Sequence, residues 1–132
     1  MVLGGRFDSL YYNPGTADNV RVAATLWHEL TPASRDAGYW AAAAPSEITV
    51  AVHRHFPPEE WDTAFCVAFR ASTWQPTAVG LAGEISIWQI HPVHFGRFDT
   101  ERLWKIDYNT WAASVLWQER GWQPWVAERA QC

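Results

Sequence analysis

The chain has 132 residues, 48% apolar and 18% charged, with 14 acidic against 10 basic side chains and a formal charge of −4. That length fits one compact domain. The apolar content excludes general disorder, and an acidic balance with one Lys, Lys105, argues against a nucleic-acid partner. No uninterrupted apolar run is longer than Tyr39 to Ala44, which falls far short of the ~20 residues of a membrane span. The opening Met-Val-Leu-Gly-Gly-Arg-Phe-Asp has no apolar leader, so a secretory signal is absent here or already removed.

In chain order, Asn19 is placed to cap a helix from Val20 to Leu30, with Val22, Ala23, Leu26 and Trp27 on one face. Thr31-Pro32-Ala33-Ser34 breaks it, and a short helical stretch is expected within 34–44. Ser46 is expected to cap a helix from Glu47 to His55, stopped by Pro57-Pro58. Pro58 then suits the first turn of a central helix, with Glu59 and Glu60 complementing its N-terminal dipole. Trp61, Ala64, Phe65, Ala68 and Phe69 follow helical spacing to an end near Ala71-Ser72. Gly80 to Ile90 reads as a short hairpin or loop with a helical turn. The last helix is expected from Asn109, as its cap, to Arg120, with Gly121 ending it.

Cys66 sits in the apolar run Ala64-Phe65-Cys66-Val67-Ala68 and reads as a packed thiol, whereas Cys132, the last residue, is expected to fray. A bridge between them is possible but has no support from the sequence. Ten tryptophans are more than a domain of this size readily hides, because each indole is large and its N–H needs a partner. Core packing and helix anchoring account for many; others would line a groove and stack on flat sugar faces. His91 and His94 lack the spacing of a compact metal motif, and neither metal nor cofactor is expected.

The sequence also echoes itself. Gly5-Arg6-Phe7-Asp8 recurs as Gly96-Arg97-Phe98-Asp99, and Asn19–Glu29 matches Asn109–Glu119 at five of eleven positions. A partial duplication accounts for this, with residues 1–45 an N-terminal segment repeating the C-terminal part and residues 46–132 the core domain.

The chemistry-bearing run is Ala64-Phe65-Cys66-Val67-Ala68-Phe69-Arg70-Ala71-Ser72-Thr73-Trp74-Gln75-Pro76-Thr77-Ala78-Val79-Gly80. It is followed by Ser86-Ile87-Trp88-Gln89-Ile90-His91-Pro92, Phe98-Asp99, Tyr108-Asn109 and Gly121-Trp122-Gln123-Pro124-Trp125. In order and spacing, residues 46 to 127 resemble the lysozyme-like domain of soluble lytic transglycosylases, in the short form of actinobacterial and phage cell-wall lysins. In that family an apolar helix ends in Glu-Ser and a Gln-Ile segment lies beyond it.

The resemblance implies an α+β, mostly helical fold, with a buried central helix and a small β or loop flap beside a glycan cleft. It also implies cleavage of the bond between N-acetylmuramic acid and N-acetylglucosamine in peptidoglycan. The family's catalytic Glu falls at position 71, where this chain carries Ala71. Alanine has no proton to give, and general acid–base catalysis worth roughly 10²–10⁴-fold goes with it. Because Ser72, Gln89 and Asn109 are intact, a substituted catalytic Glu is favoured over a long-inactive relative.

Glu84, just before the Gln-Ile motif, is a possible second carboxylate or a solvated turn residue. In retaining glycosidases two such groups lie ~5–5.5 Å apart, in inverting ones ~6.5–9.5 Å. The resemblance also places Ser72, Trp74, Trp88, Gln89 and Tyr108 at the sugar site; backbone hydrogen bonding by Ser72 and core burial of Trp88 remain the alternatives. The expected partner is peptidoglycan at the bacterial cell wall, met by a phage or secreted lysin acting as a monomer. A non-catalytic glycan-binding relative and a structural phage component are the rival readings.

Overall fold

The computed structural model describes residues 39–132, apart from the side chains of Tyr39 and Ala41. The helix expected at 20–30, residues 34–38 of the next stretch and the N-terminal copy of the echo lie outside the described residues. The described part is mostly helical. Helix α1 spans Tyr39–Ala43, α2 Ser46–His55, α3 Trp61–Ser72, α4 Ile106–Arg120 and α5 Val126–Arg129. Short 3₁₀ turns at Pro58–Glu60, Pro92–His94, Arg102–Trp104 and Gln123–Trp125 link them. None of these helices is long and apolar enough to cross a membrane.

Helix α3 is the axis of the fold. Pro58 opens the 3₁₀ turn that feeds it, where a missing N–H costs nothing. Five consecutive residues, Ala64, Phe65, Cys66, Val67 and Ala68, are buried, so mid-helix is covered on every side rather than on one stripe. Helix α1 packs on its C-terminal half through Trp40, 4.8 Å from the Phe69 ring, so it joins the core from the N-terminal side of the boundary expected at residue 45. Helix α2 lies between α3 and α4. It starts one residue earlier than expected: Pro45 takes the N-cap position, Ser46 is already helical, and no side chain caps the end. Thr49 instead donates its hydroxyl to the Pro45 carbonyl at 3.1 Å.

Helix α4 begins a turn earlier than expected, at Ile106, with Lys105 at its N-cap. Asn109 is therefore not a cap. It lies in the second turn at 0% exposure, and its amide works inside the protein. Gly121 does end the helix, at φ 61° and ψ −143°, a backbone conformation that a Cβ opposes.

Most of the tryptophans among the described residues are core or anchors. Trp88 is fully buried; the Phe56 ring stacks on it at 5.3 Å and Trp122 at 6.2 Å. Trp125 meets Trp88 edge-on at 5.6 Å and donates its indole N–H to the Trp88 carbonyl at 2.8 Å. Trp61 donates to the Phe56 carbonyl and Trp122 to Glu60, so both indole N–H groups keep a partner.

The cysteine expectations are overturned. Cys66 and Cys132 form a disulfide, with Cα atoms 6.0 Å apart, that ties the chain's last residue to the middle of α3. Sequence could not reveal this because 66 residues separate the two, and only the return of α5 onto α3 brings them together.

Candidate functional site

Position 71 lies in the last turn of α3 and is half-buried. Two residues before it, Phe69 belongs to an aromatic group that α3 shares with α1 and the turn after α3. Phe69 lies 4.9 Å from Trp74, and Trp40 of α1 meets Trp74 edge-on at 6.2 Å. Trp74 is held by its indole N–H, which donates to the Phe65 carbonyl at 3.1 Å. Trp40 was not expected at the site; its place on a separate helix, outside the motif, gave no signal. Arg70 crosses the outer side of this group, its guanidinium 5.2 Å from the Trp40 ring centre.

The chain leaves α3 abruptly. Thr73 and Trp74 adopt left-handed backbone at φ 52° and 59°, and the Thr73 N–H closes the helix on the Phe69 carbonyl at 2.7 Å. Ser86 and Gln89 are also left-handed, at φ 69° and 50°. These four are the non-glycine residues with positive φ among those described, and all belong to the stretch carrying the motif. Each such conformation costs of order 1–3 kcal/mol and persists only where surrounding structure enforces it.

Isolated antiparallel bridges, Val79 with Ile85 and Ile85 with Ile90, fold residues 78–90 back on themselves. No strand of two or more residues forms among the described residues. Ser72 fastens this segment to the helix. Its buried hydroxyl donates to the Ile87 carbonyl at 2.7 Å, with the Ala68 carbonyl at 3.2 Å as the alternative acceptor. The hydroxyl is thus committed to backbone, and Ser72 is a clamp rather than a sugar contact. Trp88, expected in the floor of the sugar site, is interior; its N–H groups go to Asn109 (backbone) and Thr110 (indole). Tyr108 is buried too, and its hydroxyl accepts the Asp99 N–H at 3.0 Å, with the Arg102 guanidinium 4.6 Å from its ring centre.

Glu84 and Gln89 remain within reach of solvent, each half-buried. The Gln89 amide is oriented by two carbonyls: its Nε2 donates to Ala78 at 3.2 Å and to Ser86 at 3.0 Å. Glu84 Oε1 accepts the Ala82 N–H at 2.9 Å. Both side chains turn toward Gly80. A Cβ built there would come within 2.6 Å of Gln89 Oε1 and still closer to Glu84 Oε1, so a larger residue fits only if these side chain ends shift. Of the expected site residues, Ser72, Trp88 and Tyr108 are thus structural, whereas Ala71, Glu84 and Gln89 are each only half-buried.

Elsewhere, His53 stacks on Trp61 at 3.6 Å, and burial pushes its imidazole down to about 4. His55, fully buried, lies 3.1 Å from Asp107, which also takes a hydrogen bond from Arg54 and ties α2 to α4. His91 accepts the Val93 N–H on its Nδ1, at the start of a 3₁₀ turn. Among the described residues, no group of three or more His, Cys, Asp or Glu is placed to hold a metal ion. Compared with protein-family models, with curated proteins and with solved structures, the chain matches none.

Proposed function

We propose that this chain is a lysozyme-like, peptidoglycan-recognising domain whose acid position, residue 71, is occupied by an alanine that leaves it without turnover. The observation that supports this most directly is the strained backbone around position 71. Four left-handed non-glycine residues lie in one segment, fastened by Ser72 to the end of a buried helix. Strain of that kind collects at sites of function because a rigid surround must hold it.

The chemistry follows from position. A glutamic acid at residue 71 would be half-buried in the last turn of the central helix, and partial burial favours the protonated acid needed to protonate a glycosidic oxygen. Glu84 is the carboxylate on the solvent-facing side, suited to orient a water or a sugar hydroxyl. The present chain binds glycan strands and does not cut them.

The test is Ala71→Glu, assayed on purified cell walls by release of reducing ends and of anhydro sugars. Lytic activity in that variant and none in the chain with Ala71 is the expected result. Native-chain binding to cell-wall fragments with no gain of activity in Ala71→Glu would favour a pure binding module. No binding by either form would reject the reading.

A further inference from the structure

We infer that residues 75–84 form a hinged strap that opens locally and gates the Gln89 amide, the gating part resting on the site being glycan-binding. Every residue from 73 to 84 is exposed or half-buried, whereas Ile85, Ser86, Ile87, Trp88 and Ile90 are buried. That inner stretch is fastened to the helices, through the Ile87 carbonyl on Ser72 and the Trp88 N–H on Asn109. Beyond its first residue, where the Gln75 N–H meets the Ser72 carbonyl at 3.1 Å, the strap has no such anchor among the described residues. The hydrogen bonds joining it to residues 85–90 both end on one acceptor. The Ala78 carbonyl takes the Ser86 N–H at 2.8 Å and Gln89 Nε2 at 3.2 Å. Val79 and Leu81 on the strap are already exposed, so their apolar surface opposes opening little.

Both ends of the strap are held in conformations that a side chain resists. Thr73 and Trp74 precede it and Ser86 follows it, all with left-handed backbone. Ser86 bears a second cost. It is fully buried, and its hydroxyl has no hydrogen-bond partner. Such a hydroxyl has lost water and gained nothing in return. Because the Ser86 N–H is one of the two bonds on Ala78, the strap closes directly against this residue. Lifting the strap gives up those two bonds, but it hydrates the hydroxyl and lets the φ of 69° relax. Closed and open forms are thereby brought close in free energy, as a two-state element requires.

The closed strap also occupies the side chain expected to meet a ligand. Gln89 Nε2 donates to the Ala78 and Ser86 carbonyls, so both amide hydrogens are spent, and Oε1 packs beside Gly80. Opening releases the hydrogen held by Ala78, a peptide carbonyl. The acetamido carbonyl of an N-acetylated sugar offers the same acceptor chemistry in its place.

Amide hydrogen exchange on the full chain, followed by NMR across low denaturant concentrations, tests the strap. The N–H groups of Gly80 and Ser86 are expected to exchange by local opening, faster than that of Trp88 and with little dependence on denaturant. Ser86→Gly removes both the hydroxyl and the strain and is expected to slow exchange at positions 80 and 86 about tenfold. Ser86→Ala removes only the hydroxyl and is expected to slow it by less. Strap amides that exchange only with global unfolding, or no slowing in either variant, overturn the strap. Calorimetry with a peptidoglycan tetrasaccharide tests the gate. A ligand that binds the open form is expected to bind Ser86→Gly more weakly, by the factor by which exchange slows. Slower exchange with unchanged affinity overturns the gate and leaves the glycan reading intact. Failure of the tetrasaccharide to bind either the parent chain or Ala71→Glu overturns the glycan reading and the gate with it, while exchange still decides the strap.

Discussion

The backbone N–H of Trp88 donates to Asn109 Oδ1 at 2.8 Å, and both residues are completely buried. The same amide donates from Nδ2 to the Leu103 carbonyl at 3.0 Å and to the Ile85 carbonyl at 3.4 Å. One side chain on α4 thus satisfies three backbone groups in two separate segments, residues 78–90 and the 3₁₀ turn Arg102–Trp104, neither of which has a regular ladder of its own. Asn109 does for this fold what a sheet would otherwise do.

Replacing Asn109 with Ala strands the Trp88 N–H and the Leu103 carbonyl in the interior. Each buried orphan costs about 1–3 kcal/mol, so Asn109→Ala is expected to lose roughly 2–5 kcal/mol in denaturant unfolding. Asn109→Asp keeps the acceptor, loses both donors and buries a carboxylate, so it is expected to be no better near neutral pH. An Asn109→Ala variant within 0.5 kcal/mol of the parent would contradict the role assigned to this amide.

The Cys66–Cys132 bridge removes freedom from the unfolded chain over a 66-residue separation. The chain-entropy model puts that at about 4 kcal/mol. Cys132→Ser is expected to lower the midpoint of unfolding by that order while leaving Trp125 anchored on Trp88. A reducing agent should reproduce the loss in the parent and have no effect in the variant. Equal midpoints for parent and variant under oxidising conditions would mean that the bridge does not form.

His53 carries the acid sensitivity. Its folded value, about 4, lies below the ordinary 6.5 because burial against Trp61 opposes the charged form. Between these values the unfolded chain binds a proton that the folded chain refuses, so stability falls as pH drops from about 6.5 to about 4 and is flat for this group above that window. The limiting loss is about 3 kcal/mol before solvent screening reduces it. His53→Phe keeps the stack on Trp61 without a titrating nitrogen, and a melting curve across pH 7 to 4 should be flatter in that variant. An unchanged acid limb would assign the effect to another group.

Arg97 and Glu119 form a two-pronged ion pair, at 2.9 and 2.6 Å, between the C-terminal copy of the sequence echo and the end of α4. The hydrogen bond from Arg97 lowers the Glu119 carboxyl below its ordinary 4.5. The pair's contribution is therefore complete above that value and is lost as pH falls through the lower, folded one. Both groups are nearly half exposed, so Glu119→Gln is expected to cost under about 1 kcal/mol and to cost less in high salt. A larger, salt-independent loss would show that the pair is structural beyond its charge.

Several boundaries were legible from residues alone because their causes are local. Pro58 sets the entry to α3, Gly121 ends α4, and the apolar spacing from Trp61 to Phe69 marks the central helix, each through the conformations its own backbone allows. The motif from Ala71 to Gln89 likewise marked the segment in which the backbone proves most strained. The functions of Asn109, Ser72 and Tyr108 were not legible, since a polar side chain declares its partner only when a distant segment arrives beside it. The same holds for Cys66, whose partner is the last residue of the chain, and for Trp88, whose burial depends on Phe56, Trp122 and Trp125 closing around it. Helix limits follow from steric rules within a few residues, whereas pairing and burial depend on which surfaces meet, and that is decided only when the whole chain packs.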